Sequence, residues 1–176
     1  MRTTLLTASV FALGVLATAC GGNSSSGSPA ASPTPAVSPT VVAASPQPQA
    51  GVTPTVATAA DAKLGTILTD GHGATLYLFE KDTANHSNCT GTCAADWIPY
   101  TTSPGTPGAG PGTTAAKLAT ITRADGSTQI TYNSHPLYYY SDDQKKPGSV
   151  EGQGSNEYGG LWHTVTPAGA ADTAKK

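Results

Sequence analysis

The sequence predicts an all-β domain, a small sandwich or barrel-like body made of two repeated β units, preceded by a signal peptide and a disordered tether. Three observations carry this. Short strand-like runs are joined by Asp70-Gly71 and by Asp125-Gly126, and Gly and Asp tolerate the positive φ that a tight hairpin turn needs. The pattern Tyr-x-aromatic-x-x-Asp occurs twice, in "YLFEKD" (77–82) and "YYYSDD" (138–143). A Trp follows each copy, Trp97 and Trp162, so strand, turn, aromatic strand, Asp turn and Trp strand recur in one order. Units that would each leave an apolar face bare are stable when they cover one another.

In chain order, Arg2 precedes an apolar run from Leu5 to Ala19. That run is about 15 residues, short of the roughly 20 that span a bilayer, and it reads as an export signal over residues 1–19. It ends in "LATAC" (16–20), where small residues stand before a cysteine. This resembles the lipobox of bacterial lipoproteins, with Ala17 at a position where Leu is commoner. The resemblance implies diacylglyceryl transfer to Cys20, cleavage after Ala19 and N-acylation. It makes the membrane, reached through a lipid, the first expected partner, on the extracytoplasmic face of a bacterial cell membrane. Of three cysteines, Cys89 and Cys93 then remain as a pair in an oxidising compartment.

Residues 20–60 hold the lipidated Cys and a tether of Pro, Ser, Thr and Ala without charges or aromatics up to residue 60. Such a composition buries too little apolar surface to offset its ordering entropy. At about 3.1 Å per residue it reaches roughly 120 Å when fully extended. The β domain is expected over residues 61–167, in repeats at about 64–100 and 117–167. Residues 168–176 read as a frayed tail.

Inside the domain, "LGTILT" (64–69) and "ATLYLF" (74–79) flank the first turn, and "KLATITR" (117–123) and "TQITYN" (128–133) flank the second. "HPLYYYS" (135–141) is a strand with its Pro near the start, where a missing N–H does least harm. "LWHTVT" (161–166) closes the domain, and "WIPY" (97–100) is a weaker strand. Residues 101–116 and 147–160 are Gly-rich connections. On a strand, alternate residues share a face. Tyr77 and Phe79 therefore match Tyr138 and Tyr140, while Leu76 and Leu78 match Leu137 and Tyr139 on the other side. A strand apolar on both faces is a central strand with a layer on each side. Asp82 and Asp143 stand where a carboxylate accepts backbone N–H groups in a turn.

The doublet, with "CTGTCAADW", "PGSVEGQG" and "GGLWHTVTP", resembles the bacterial secreted-repeat lipoproteins with a repeated Y-x-[FWY]-x-x-D motif. The match spans nearly all of residues 64–167 in order, with Ile98 standing where the family usually has Pro after its first Trp. The resemblance implies the fold and an extracytoplasmic location, and names no reaction.

Charge excludes some functions. The chain is 11% charged, with nine Lys and Arg, one of them in the leader, against eleven Asp and Glu. This leaves no basic footprint for nucleic acid and no polybasic segment for anionic lipid.

The sequence carries no G-x-S-x-G, P-loop, H-E-x-x-H or S-x-x-K. It therefore points away from an enzyme and toward a non-catalytic surface or interaction module with no cofactor, whose partner is an envelope protein or the cell wall. The alternative is a ligand binder. Cys89 and Cys93 with a histidine are donors for Cu(I), and His72 and His135 hold related places in the two units. Tyr100, Tyr132, Tyr158, Trp97 and Trp162 are candidate platforms for a cell-wall glycan. The bland reading of the cysteines is a staple, and that of the rings is core. The staple is testable: on the exported protein, a thiol reagent labels Cys89 and Cys93 only after a reductant is added, and labelling beforehand refutes the pairing.

Overall fold

A computed structural model describes residues 53–103 and 105–176. The signal peptide, Cys20 and most of the tether lie outside the described residues. The described residues form β1 (Thr55–Asp61), β2 (Gly65–Asp70), β3 (Tyr77–Phe79), a short helix α1 (Thr92–Asp96), β4 (Trp97–Pro99), β5 (Thr101–Thr102), β6 (Gly108–Ala109), β7 (Leu118–Thr122), β8 (Thr128–Tyr132), β9 (His135–Pro136), β10 (Tyr138–Tyr140), β11 (Asn156–Glu157) and β12 (Gly160–Thr164). The all-β expectation holds.

The domain begins earlier than the sequence suggested. β1 pairs with β2 from Val56↔Asp70 to Asp61↔Gly65, and its first residue, Thr55, pairs with Gly108 of β6, so residues 55–60 belong to the sheet and not to the tether. Their Pro-rich surroundings hid a run, "TVATAA", whose Val56 is wholly buried. Asp61 Oδ1 accepts the N–H groups of Lys63 and Leu64, both at 2.8 Å, and shapes the intervening turn. The tail is also tied down. Val165 bridges Ala171, and the Gln153 amide donates to the carbonyls of Asp172 and Ala174.

The second expected hairpin forms as read, with β7 and β8 paired from Leu118↔Tyr132 to Thr122↔Thr128. The first divides its labour. After the Asp70–Gly73 turn the chain returns only for the Thr69↔Thr75 bridge and the Leu76 N–H bond to Leu68 O (3.1 Å). Residues 77–79 then depart into another sheet as β3.

That sheet is the centre of the domain, with strand order β11-β12-β3-β10-β4. β3 and β10, the two aromatic strands, lie side by side with Tyr77 opposite Tyr138. Each is flanked by the Trp strand of the other unit. β12 pairs with β3, Trp162 opposite Phe79; β4 pairs with β10, Trp97 opposite Tyr140. The hairpins follow the same exchange, because Leu68 donates its N–H to Val165 O (2.7 Å) and Ile130 donates its N–H to Tyr100 O (2.8 Å). The central sheet is therefore closed only by strands from both units.

Both faces of the central sheet are covered, as the alternation required. One face carries Leu76, Leu78, Leu137 and Tyr139, packed with Val56, Leu68, Ile130 and Tyr132 of the hairpins. The other carries Tyr77, Phe79 and Tyr138 with Trp97, Trp162 and the two half-cystines. There the rings form a continuous stack: Phe79 on Trp162 (4.1 Å between centroids), Trp162 on Trp97 (3.9 Å), Trp97 on Tyr140 (4.3 Å). Tyr77 meets Trp97 edge-on at 5.4 Å, and Tyr138 meets Trp162 edge-on at 5.2 Å. Aromatic pairs contribute about 0.5–1.5 kcal/mol beyond their buried area, and each of the three stacked pairs joins a ring of one unit to a ring of the other.

The 147–160 connection closes over these rings with bare backbone. A Cβ on Gly152 would stand 2.7 Å from Trp97 Cη2 and 3.0 Å from Tyr77 Cε1. Overpacking of this kind costs about 1–3 kcal/mol. Gly152→Ala is expected to lower stability by that amount in a denaturant titration, and an unchanged midpoint would show that the loop does not press on the indole.

Candidate functional site

The repeated signature converges on two hydrogen-bonded centres, one on the buried Asp143 and one on the half-buried Asp82, and both cross between units. Tyr77 donates its hydroxyl hydrogen to Asp143 Oδ2 at 2.5 Å, and Tyr138 donates to Asp82 Oδ2 at 2.7 Å. The remaining oxygen of each carboxylate organises its own turn. Asp82 Oδ1 accepts Asn88 N–H at 2.7 Å; Asp143 Oδ1 accepts Glu151 N–H at 2.9 Å and Ser149 Oγ at 2.6 Å. The turn-capping expectation therefore describes half of what each aspartate does. Burial, then the bonded carboxylate, pushes the Tyr77 phenol far above its ordinary range. Burial, then the charge of Asp82, does the same to Tyr138. Both stay protonated donors at neutral pH, and burial also raises Asp82.

A second feature was not foreseen. Arg123 at the end of the β7–β8 hairpin is buried. Its guanidinium donates to Ser87 Oγ, Gln129 Oε1 and Cys89 O, each at 2.6 Å. Ser87 in turn shares a 2.7 Å hydrogen bond with Tyr138. The arginine thus fastens the disulfide loop of the first unit to the hairpin of the second. An arginine beside an Asp-Gly turn reads as a surface residue in sequence, and only the fold shows what it reaches.

The two cysteines are joined, with Cα atoms 5.2 Å apart, and both are buried. Gly91, at φ 59°, precedes α1 inside the bridge, a conformation glycine adopts without strain. The histidines stay apart in role: His72 and His86 are exposed, His135 is half-buried with its imidazole pushed below the usual range by burial, and His163 Nε2 lies 3.2 Å from Glu80. Among the described residues no three His, Cys, Asp or Glu side chains are grouped as a metal site.

Recesses on the surface flank both units. One, of about 370 Å³, is lined by Asp96, Tyr140, Asp142, Glu157 and Tyr158. Tyr158 bonds Asp96, Glu157 accepts Trp97 Nε1–H at 2.8 Å, and burial with the neighbouring carboxylates pushes Tyr140 up to about 12. Of the candidate glycan platforms, Tyr100, Tyr132, Trp97 and Trp162 are core, while Tyr158 is 42% exposed. Another recess, of about 550 Å³, lies between the disulfide loop and β7.

A family profile described as a secreted repeat of unknown function matches residues 58–101 and again residues 119–166. The chain belongs to this secreted-repeat family. Each match opens in the outer strand of a hairpin and runs past the Trp strand, so the repeat is the unit whose strands are exchanged. The secreted-repeat assignment makes this an extracellular protein of unknown activity. No curated protein and no solved structure matches it. No helix among the described residues is long and apolar enough to cross a membrane.

Removing the Tyr77 hydroxyl leaves the buried Asp143 carboxylate short of a donor, at about 1–3 kcal/mol. Tyr77→Phe and Asp143→Asn, each destabilising, are expected to couple by at least about 0.5 kcal/mol in a double-mutant cycle. Strict additivity would show that the bond is incidental.

Proposed function

We propose that this is a lipid-anchored envelope protein whose β domain is a non-catalytic surface and interaction module. The observation that carries it is the closure of the repeated signature on itself. Tyr77, Tyr138, Asp82 and Asp143 direct their polar atoms to each other, to Ser87 and Ser149 and to neighbouring backbone, so the residues repeated in the two units of this chain serve architecture. The anchor rests on the small residues before Cys20, and the tether composition suits a domain held away from a bilayer. Two or more acyl chains make such attachment stable.

A second reading, a cell-wall glycan ligand, draws support from Tyr158 and Tyr140 beside three carboxylates in the 370 Å³ cleft. Aromatic faces with hydrogen-bonding side chains at their rim suit a sugar ring. Copper draws less support, since the oxidised Cys89–Cys93 pair presents no thiolate.

Cys20→Ala is expected to move the protein from the membrane fraction into the medium, and continued membrane retention would refute the anchor. Titration of the oxidised protein with Cu(I) is expected to give no stoichiometric heat, whereas cell-wall fragments seated on Tyr140 would change the emission of Trp97 beneath it. A tight Cu(I) signal lost in Cys89→Ser would replace the module with a metal binder.

A further inference from the structure

We propose that the outer edge of β7 is a strand-addition site for an extended, uncharged, small-residue peptide segment of a partner protein. The inference rests on the interaction-module reading and names the class of partner.

The argument starts from the internal two-fold relation. Leu76 donates its N–H to Leu68 O, and Leu137 donates its N–H to Ile130 O. Leu68 and Ile130 are thus equivalent. Their hairpin partners are Thr58 and Thr120, so β1 and β7 are equivalent strands with the same parity. In β1 the edge away from the hairpin is occupied. Residues 107–113, "PGAGPGT", run parallel to it as an extended ribbon that includes β6. Gly108 N–H bonds Pro54 O at 2.8 Å, Gly110 N–H bonds Val56 O at 2.7 Å, and Thr58 N–H bonds Pro111 O at 3.0 Å. The fit demands small residues: a Cβ on Gly110 would stand 2.9 Å from Ala57 Cβ, and one on Gly112 2.0 Å from Thr58 Oγ1.

β7 has no such cover among the described residues. The bonds Asn133 N–H to Lys117 O and Arg123 N–H to Ser127 O place the odd-numbered positions against β8. Because antiparallel pairs alternate, the backbone groups of Thr120 and Thr122 and the carbonyl of Leu118 face outward, while Leu118 N–H is taken by Ala115 O in the preceding 3-10 turn. Sheet edges are ordinarily blunted by lysine, proline, a bulge or an overlying loop. β7 reads Leu-Ala-Thr-Ile-Thr, with no charge and no proline, and pairs with β8 without a bulge.

The 550 Å³ recess lies at this strand. Ile121 and Thr122 form one wall, and Asn85, His86, Asn88 and Ala94 are on the other. Strand addition draws affinity from main-chain hydrogen bonds and specificity from pockets for alternate side chains. The edge supplies the first and the recess the second. The occupant of β1 shows what backbone chemistry the equivalent edge receives: a parallel, extended segment with small residues at the points of closest approach.

The test is an NMR titration of the full chain carrying Cys20→Ala, with the acetylated and amidated peptide Pro-Gly-Ala-Gly-Pro-Gly-Thr as probe. The expected result is displacement of the amide signals of residues 118–122, with slowed exchange at Thr120. A control peptide with sarcosine in place of its second glycine lacks the donor that Gly110 gives to Val56 O on β1, whose counterpart on β7 is Leu118 O. One lost hydrogen bond makes it roughly two- to tenfold weaker. Thr120→Pro removes the outward donor and Thr120→Lys blunts the edge, and either is expected to abolish the shifts. Equal binding of both peptides, or binding undisturbed by both variants, overturns the proposal. So does concentration-dependent loss of the same signals without peptide, which would assign the edge to a second copy of the chain. Cell-wall fragments are titrated in parallel: no shifts at β7 from the peptide would sink the strand-addition site, and shifts at Tyr140 and Tyr158 from the fragments would in addition favour the glycan reading over the protein-interaction module.

Discussion

The structure turns on an exchange. Each unit offers a tyrosine from its aromatic strand to the aspartate of the other, across sequence separations of 66 and 56 residues. A phenol buried beside a carboxylate stabilises only if the bond is made, since an unpaired buried polar group costs about 1–3 kcal/mol. The requirement falls on both units at once. Tyr77 needs the turn at Asp143, and that turn is set by Ser149 and Glu151 of the second unit. Tyr138 needs the turn at Asp82, which is set by Asn88 of the first. The remaining contacts repeat the pattern, in the Trp strands that cross to the opposite aromatic strand and in the hairpins bonded to Tyr100 and Val165.

Two-fold repetition places like against like, and this explains the stack of Phe79, Trp162, Trp97 and Tyr140. The indoles meet at the centre, and each unit adds its own terminal ring. Where the units differ, surface features appear. Glu157 accepts from Trp97 Nε1 through its carboxylate and from Trp162 Nε1 through its carbonyl, at 2.8 and 3.3 Å, so a single residue serves both indoles. The first unit carries the disulfide loop and its short helix, whereas the second carries a glycine-rich connection. The clefts lie at these unequal places, and the covered β1 edge with the uncovered β7 edge is the same inequality seen in the hairpins.

Much of the fold was legible because it depends on short-range periodicity. Alternation placed Tyr77 and Phe79 on one face and Leu76 and Leu78 on the other, and both faces are buried. The β7–β8 hairpin followed from its Asp-Gly turn. Features that depend on distant partners were not legible. Asp82 and Asp143 were readable as turn caps, but the oxygen that faces the other unit has no local sign. Arg123 binds a loop more than thirty residues away (separations of 36 and 34). β1 was hidden by a composition shared with the tether, and β6 by a glycine-proline run that pairs because its residues are small.

The exchange is tested most directly by cutting the chain where the first unit and its covering ribbon end. Residues 53–113 and 114–176 would be prepared as separate fragments and followed by near-ultraviolet circular dichroism and thermal melting. If each unit completes the other, neither fragment alone shows a cooperative transition or a stacked-indole signal, and mixing restores both. A cooperative melt from either fragment by itself would contradict the exchange, since that unit would then hold its own core.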